Sequence, residues 1–443
     1  MLKAFSKLWN NDRGNMIVIA AAALPLLVGS AGLATDTIQW ALWKRQIQRA
    51  ADSAAIAGVY DRVEHTGATT NTPTAINHDL SLNQHSGITL QPGYPVVSYP
   101  ANVTGQQNQV RVTLAVRKEL SFSSMFLTTA PLIQATAQAA AVQSSGDFCV
   151  LSLQHNSKTG IQATGSASIT MDCGMMTNST ATNAAAGQGN AGVTATTIAA
   201  AGGIQQSSNW TVQNYQPYSP QLEDPYADLK PDADDGDFAS CPANPQPLNI
   251  NGGNSGQTFY ADQCYSSISV NSNRSVTFAP DPVSGAHRII VSGGGVNVQG
   301  SMHLNGVVLI LTNKDSSSTA PVGSLDANSN GLIDATAPTT GKWAGMAIYQ
   351  DRRAVDSAPT GNITASSPNK INGNTTNKIR GVLYFPNQQL TYNGSGTGSA
   401  TCTQFVAKRI YWSGNSGLNN FTKNCPNTGI QAIQAPLKVR LVA

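Results

Sequence analysis

The stretch "NMIVIAAAALPLLVGSAGLATD", residues 15–36, carries no charge before Asp36. As a helix, its uncharged part, residues 15–35, would span roughly 31 Å, about one hydrocarbon core. Lys3, Lys7 and Arg13 precede it, which favours a cytoplasmic N-terminus. The sequence therefore predicts a cytoplasmic segment over residues 1–14 and a single transmembrane helix over 15–35.

Two other interpretations of this stretch are a cleaved signal peptide and a filament-forming pilin. Gly32 and Ala34 are small residues at the spacing of a signal-peptidase site, so cleavage after Ala34 is the main alternative. Against cleavage, the helical pattern continues through residues 36–63 without Pro and with Gly only at position 58. We therefore expect the apolar helix to continue into an extended amphipathic helix over residues 36–66.

The continuing helix has a distinctive face. Its apolar residues recur at spacings of three to five, close to a helical stripe. The residues are Ile38, Leu42, Ile47, Ala51, Ala54 and Ala55. The alanines offer a smooth surface for close packing.

The cysteines indicate the compartment. The chain contains Cys149, Cys173, Cys241, Cys264, Cys402 and Cys425. Their spacing favours neighbour pairing, 149–173, 241–264 and 402–425, although six cysteines permit 15 connectivities. Three bridges imply an oxidising compartment, so the part after the apolar span is expected to be periplasmic or surface-exposed.

The composition limits the class of function. Charged residues make up 11% of the 443-residue chain, against about 25% in typical soluble proteins. The net charge of +3 and the lack of a basic stripe argue against nucleic-acid binding.

Residues 67–145 read as a small α+β module. "NQVRVTLAVRKEL", residues 108–120, alternates apolar and polar positions as a half-buried strand does. "LIQATAQAAAV", residues 132–142, fits a strand or a short alanine-rich helix. "ITLQPGYPVVSY", residues 88–99, reads as strand, turn and strand.

The remainder is rich in short strands. We divide it into the start of a β-rich region (146–213), a Pro- and Asp-rich linker (214–247) and a β-solenoid-like domain (248–443). An apolar strand followed by a Gly turn recurs at 161–166, 296–301, 390–395 and 410–415. This mainly-β pattern favours a parallel β-helix-like solenoid, with a β-sandwich as the alternative.

"DANSNGLID", residues 326–334, resembles a calcium loop. Asp326, Asn328, Asn330 and Asp334 occupy positions 1, 3, 5 and 9 of an EF-hand loop, but position 12 is Ala337. The expectation is weak calcium binding at most, and no other cofactor.

No catalytic residue is predicted. GxSxG, HExxH and P-loop motifs are absent from the sequence. Asp351, Arg352 and Arg353 are interpreted as residues that close a turn, and His287 and His303 as surface histidines. We therefore expect a protein that is not an enzyme.

The N-terminal region resembles that of TadG-like proteins of the Tad/Flp (tight-adherence) pilus system. The matching residues are Arg13, Gly14, Asp36, Ile47, Gln48, Ala50, Ala51, Asp52, Ala54 and Ala55. Processed pilins have Glu at the fifth position after the cleaved Gly, where this chain has Ile19. The resemblance therefore implies a retained anchor, with Asp36 as a polar marker at the membrane interface, and a helix that lies on a small sheet.

The resemblance also implies the function. We expect a single-pass inner-membrane protein of the cell envelope that takes part in Tad/Flp pilus assembly or anchoring through protein–protein contacts. Its partners would be other Tad pilus-assembly proteins, pilins and the inner membrane, with no nucleic acid. The alternative is a surface carbohydrate-binding or carbohydrate-active β-solenoid with a TadG-like leader.

Overall fold

A computed structural model describes most of the chain. The described residues are 12–83, 88–143, 147–233, 236–328, 331–358, 360–373, 378–394, 397–415, 417–421, 428–434 and 437–442. The chain forms two compact units, one made of residues 1–144 with 437–443, the other of residues 145–436.

The first unit begins with one long helix. Helix α1 (Asp12–Glu64) runs without a break through Pro25, so the predicted join between the apolar span and the amphipathic helix is confirmed. Helix α2 (Thr72–Asn83), which the sequence analysis did not anticipate, follows it. Gly58 permits this contact, because a Cβ there would lie 3.1 Å from Ile76 of α2.

A four-stranded antiparallel sheet completes the first unit. Its strands are β1 (Val96–Ser98), β2 (Gln106–Arg117), β3 (Leu132–Gln143) and β29 (Leu437–Leu441), and they lie in this order across the sheet. The alanine-rich segment, for which strand and helix were both open, is therefore a strand. Of residues 88–99, only those of β1 form a strand.

Strand β29 corrects one predicted boundary. Residues 437–443 were assigned to the solenoid-like domain, but β29 pairs with β3 of the first unit, with Leu437 opposite Gln143. The chain leaves this sheet after β3 and returns to it only at its end. Pairing between segments so far apart leaves no local trace in the sequence.

The second unit is mostly β. Its first strands are β4 (Asp147–Ser152), β5 (Ile161–Ala163), β6 (Ser168–Met171), β7 (Gly174–Thr177), β8 (Ala185–Gly187), β9 (Gly192–Ala200) and β10 (Trp210–Gln216). Next come β11 (Leu248–Ile250), β12 (Gln257–Tyr260), β13 (Gln263–Tyr265), β14 (Ile268–Val270), β15 (Ser275–Ala279), β16 (Arg288–Ser292), β17 (Val296–Val298), β18 (Ser301–Asn305) and β19 (Val308–Thr312). The last are β20 (Leu325–Ala327), β21 (Leu332–Thr336), β22 (Met346–Gln350), β23 (Asn369–Gly373), β24 (Lys378–Gly394), β25 (Thr397–Thr401), β26 (Thr403–Gly414), β27 (Gly417–Phe421) and β28 (Ile433–Gln434).

The strands pair in parallel with a period of three. β11 pairs with β14, β14 with β17, and β17 with β20. The series from β12 and the series from β13 advance in the same way. This parallel register differs from the antiparallel sheets of a β-sandwich.

The stacking order departs from the chain order. β26 pairs in parallel with β4 and β5, so the first strands of the unit lie beside strands near its end. The chain must then return from β10 to β11, which lies at the other end of the series. Residues 217–247 make this return, and we call them the strap.

The strap corrects the predicted linker. Its described residues, 217–233 and 236–247, form no helix or strand, as expected of a Pro-rich segment. The strap nevertheless lies inside one compact unit, and its contacts advance from strand to strand. Tyr226 Oη donates to Gln404 Oε1 at 2.6 Å, and Tyr349 Oη donates to Leu229 O at 2.9 Å. Farther along, Asp237 accepts from Arg288 at 2.9 Å.

The strap explains why some strands are apolar throughout. Strands β19 and β22 are buried at every position. One face packs into the main core and the other into a second cluster that contains Tyr226 and Cys241 of the strap. Continuous apolar strands are typical of sheets that are covered on both faces.

Glycine stands at the predicted turns for two different physical reasons. Gly165 and Gly414 adopt φ of +73°, which favours glycine. At Gly300 the cause is close approach, since a Cβ there would lie 2.1 Å from Arg274 O.

Candidate functional site

Asp36, at the outer end of the apolar span, is buried instead of exposed. It retains 3% of its accessible surface. Its Oδ1 accepts from the N–H of Phe122 at 2.8 Å, and its Oδ2 from the N–H of Ser123 at 2.6 Å and from Ser123 Oγ. The expected polar marker is thus a clasp that binds the loop after β2 to helix α1.

The electrostatics of the clasp keep Asp36 ionised. Burial acts to raise the pKa of Asp36, but the hydrogen bonds from the side chain of Ser123 and from the two backbone N–H groups outweigh it and lower the pKa. A carboxylate that accepts several N–H bonds is stabilised in its charged form.

Gly32 lies one helical turn before Asp36 and makes room for the same loop. A Cβ at Gly32 would lie 2.3 Å from the ring of Phe122. One turn earlier, a Cβ at Gly29 would meet nothing within 4 Å. The small residue that suggested a cleavage site therefore has a packing role beneath an aromatic ring.

The alanine-rich family motif forms the contact between helix and sheet. Ile47, Ala51, Ala54 and Ala55 are fully buried, and Ala50 nearly so. They share one core cluster with the alternate alanines of β3, at positions 135, 137, 139 and 141. Small side chains on both elements allow the helix backbone to approach the sheet closely.

The polar members of the motif flank this contact. Gln48 Nε2 donates to Asp52 Oδ1 at 2.8 Å and to Thr136 O of β3 at 3.0 Å. Gln48 therefore joins the helix edge to the sheet. Arg13 and Gly14 lie in the first turn of α1.

Most of the apolar part of α1 is exposed in the described part of its unit. Leu24, Leu26, Leu27 and Leu33 are exposed. Within the described residues, α1 is the one helix long and apolar enough to cross a membrane. This finding agrees with a single-pass anchor.

Two of the predicted bridges are present in the second unit. Cys149 bonds to Cys173 and Cys241 to Cys264. The second bridge ties the strap to β13. Cys402 is buried, and Cys425 lies outside the described residues, so that third pairing stays a prediction.

The two acidic residues of the calcium-like segment lie on different strands. Asp326 is in β20 and Asp334 in β21, whereas an EF-hand would hold both in one loop. Asp326 Oδ1 has no hydrogen-bond partner in the described part of the chain, Asn328 follows β20, and Asn330 is not among the described residues. Calcium binding stays a prediction, and the described residues contain no cluster of three or more His, Cys, Asp or Glu.

The charged residues of "YQDRR" are occupied by structural contacts. Asp351 Oδ2 accepts from Thr312 Oγ1 at 2.7 Å and from Arg353 Nη2 at 2.8 Å. Arg352 Nη2 donates to Asp224 of the strap at 2.8 Å. Burial acts to raise the pKa of Asp351, but the hydrogen bonds from Arg353 and Thr312 outweigh this effect. The pKa of Asp351 therefore lies below its ordinary value.

The two histidines are separately engaged. His287 Nδ1 lies 2.8 Å from Gly306 O. His303 Nδ1 lies 3.6 Å from Asp334. The structure joins neither histidine to Asp351 by a described hydrogen bond.

The sequence analysis missed the partner of Asp36. Residues 120–131, "LSFSSMFLTTAP", hold no charge, so nothing in their composition pairs them with an aspartate. The N–H groups of Phe122 and Ser123, at the start of the short 3₁₀ turn Ser123–Met125, are identified as its donors only by the structure.

Comparisons with known proteins agree with the N-terminal geometry. No curated protein and no solved structure matches the chain. Residues 14–61 match the Tad family model, described as Flp pilus-assembly TadE/G-like. The matched segment covers the uncharged span, Asp36 and the buried alanine face, so the N-terminal helix of this chain is similar to that of TadE/G-like proteins.

Proposed function

We propose that this chain is a single-pass inner-membrane protein that takes part in Flp pilus assembly or anchoring through protein–protein contacts, without catalysis. The observation that carries the proposal is the TadE/G-like match over residues 14–61, on a helix whose first half is apolar and uncovered. The proposed partners are pilins and other proteins of the same assembly system.

The proposed orientation places the chain after Asp36, which includes the whole second unit, in the periplasm or at the cell surface. Disulfides at Cys149–Cys173 and Cys241–Cys264 support an oxidising compartment for the second unit. Lys3, Lys7 and Arg13, before the span, support a cytoplasmic N-terminus.

The second unit is proposed to be a parallel β-helix that presents a binding surface. Parallel pairing with a period of three supports coils of three strands each. Such solenoids offer long lateral surfaces for contact with other proteins. Asp351, the best catalytic candidate, is held by Thr312 and Arg353, which favours a structural role over carbohydrate cleavage.

N-terminal sequencing of the mature protein tests the anchor. An intact N-terminus that fractionates with the inner membrane is the expected result. A mature chain that starts at Thr35 would refute it.

The role in assembly requires a separate test. In a strain that makes Flp pili, a chain whose Leu24 and Leu27 are both changed to Arg should leave the membrane and abolish pili. Loss of pili should also follow deletion of the gene. Wild-type piliation after deletion would contradict the assembly role, and polysaccharide cleavage that is lost in Asp351→Ala would favour the carbohydrate-active alternative.

A further inference from the structure

The loop held by the clasp carries a patch of exposed apolar side chains. Met125, Phe126 and Leu127 expose 75%, 71% and 52% of their surface. The ring of Phe126 lies 5.3 Å from that of Phe122, centroid to centroid. Contiguous exposed apolar side chains of this kind mark sites of contact with proteins or membranes.

The position of the patch along α1 identifies its partner. Phe122 packs on Gly32, and its backbone N–H donates to Asp36 Oδ1 at 2.8 Å. Residues 32 and 36 are about 6 Å apart along the helix axis, and they form the outer end of the uncharged span. The loop is therefore level with the last turn that the proposed anchor places in the bilayer.

The distribution of charge near the patch is compatible with a position at the boundary of the bilayer. Residues 120–131 carry no charge. The carboxylate of Asp36 is buried under its three donors and so does not face the acyl chains. Trp40, one turn farther out, is partly exposed, as expected of an aromatic residue at the headgroup level.

We propose that the loop over residues 121–127 inserts Met125, Phe126 and Leu127 into the outer boundary of the same bilayer, as a second lipid contact beside the helix. This contact would fix the depth and the rotation of α1, because the clasp joins the loop to one side of the helix. The proposal rests on the proposed membrane anchor, and the experiment below separates the two.

Photo-crosslinking to lipid tests the proposal directly. The full chain is reconstituted in vesicles of phosphatidylethanolamine and phosphatidylglycerol that contain an alkyne-tagged phosphatidylethanolamine. p-Benzoylphenylalanine is placed at one position at a time: Phe126 as the test, Leu27 within the span as the positive control, and Tyr60 as the negative control. Leu27 and Tyr60 are both exposed, and Tyr60 lies about 36 Å beyond Asp36 along the helix.

The three positions give distinct results. We expect lipid adducts at Leu27 and Phe126, each about tenfold above the level at Tyr60, which lies beyond the interface. Adducts at Leu27 without adducts at Phe126 would overturn the lipid contact, leave the anchor intact and assign the patch to a protein partner or a second copy. Adducts at neither position would overturn both the anchor and the loop contact.

Discussion

Gly32→Val is the sharpest test of the clasp, because Gly29→Val supplies a matched control on the same helix. A Cβ at Gly32 would lie 2.3 Å from Phe122, whereas ordinary contacts begin near 3.4 Å. At Gly29 the same atom meets nothing within 4 Å. Both changes add the same apolar volume to the same uncharged span, so they differ mainly in the collision with the ring.

The expected magnitude follows from how firmly the loop is held. The ring must retreat by about 1 Å while Asp36 holds the adjoining backbone, and overpacking of this kind costs about 1–3 kcal/mol. A cost near 2 kcal/mol raises the opening constant of the loop about 30-fold. Gly29→Val should leave that constant unchanged.

Hydrogen exchange with mass spectrometry measures this opening. The readout is the exchange rate of the amides of Phe122 and Ser123, which donate to Asp36, in the full chain reconstituted in lipid. Equal rates in Gly32→Val and Gly29→Val would refute the reasoning, as would a wild-type loop that exchanges at the rate of an open chain.

Three other perturbations test the packing of the two units. Ala54→Leu inserts three carbons at a fully buried position of the helix–sheet contact and should destabilise the first unit by about 2–3 kcal/mol, measured by exchange of the β3 amides. Asp356→Asn leaves Arg409, whose side chain is fully buried, without its carboxylate and should cost about 3 kcal/mol at neutral pH. Burial raises the pKa of Asp356, but Arg409 and Lys408 lower it to about 2, so the contribution of this ion pair is present above the ordinary value of 3.8 and is lost as the pH falls through about 2. Replacing both Cys241 and Cys264 by Ala removes a bridge between residues 23 positions apart, worth about 3 kcal/mol, and should expose the strap to protease.

Each of these perturbations has a control or a contrary outcome. Ala68→Leu, at an exposed position after α1, should not alter exchange in β3. For Asp356→Asn, the deficit in unfolding free energy should shrink between pH 4 and pH 2, and a constant deficit would contradict the assigned ion pair. Cleavage of the bridge-free variant outside residues 217–247 before cleavage within them would contradict the strap's dependence on its bridge.

Local pattern in the sequence was enough for several elements. The uncharged run and the alanine stripe predicted α1, because helical periodicity is a property of neighbouring residues. The alternation from Val110 to Val116 predicted β2 for the same reason. The even local spacing of Cys149–Cys173 and Cys241–Cys264 predicted two bridges, because it favours pairing between neighbours in the sequence.

Tertiary structure alone decided the features that depend on distant residues. The sequence predicted Asp36 as a polar marker at the membrane interface but did not predict its burial, because its donors, Phe122 and Ser123, are 86 and 87 positions away. The strap was predicted as a linker because its partners lie on strands far along the chain, namely Tyr349 of β22, Tyr384 of β24 and Gln404 of β26.

The physical reason is the same in each case. A sequence by itself determines where the chain tends to be helical, extended or turned, and it did so here for the long helix and many short strands. Which strand pairs with β29, which strand pairs with β4 and which loop satisfies a buried carboxylate depend on the packing of segments that lie far apart in the sequence. Only in the folded chain does Gly32 leave room for the ring of Phe122. Only there does Asp36 hold the loop that carries this ring against the helix.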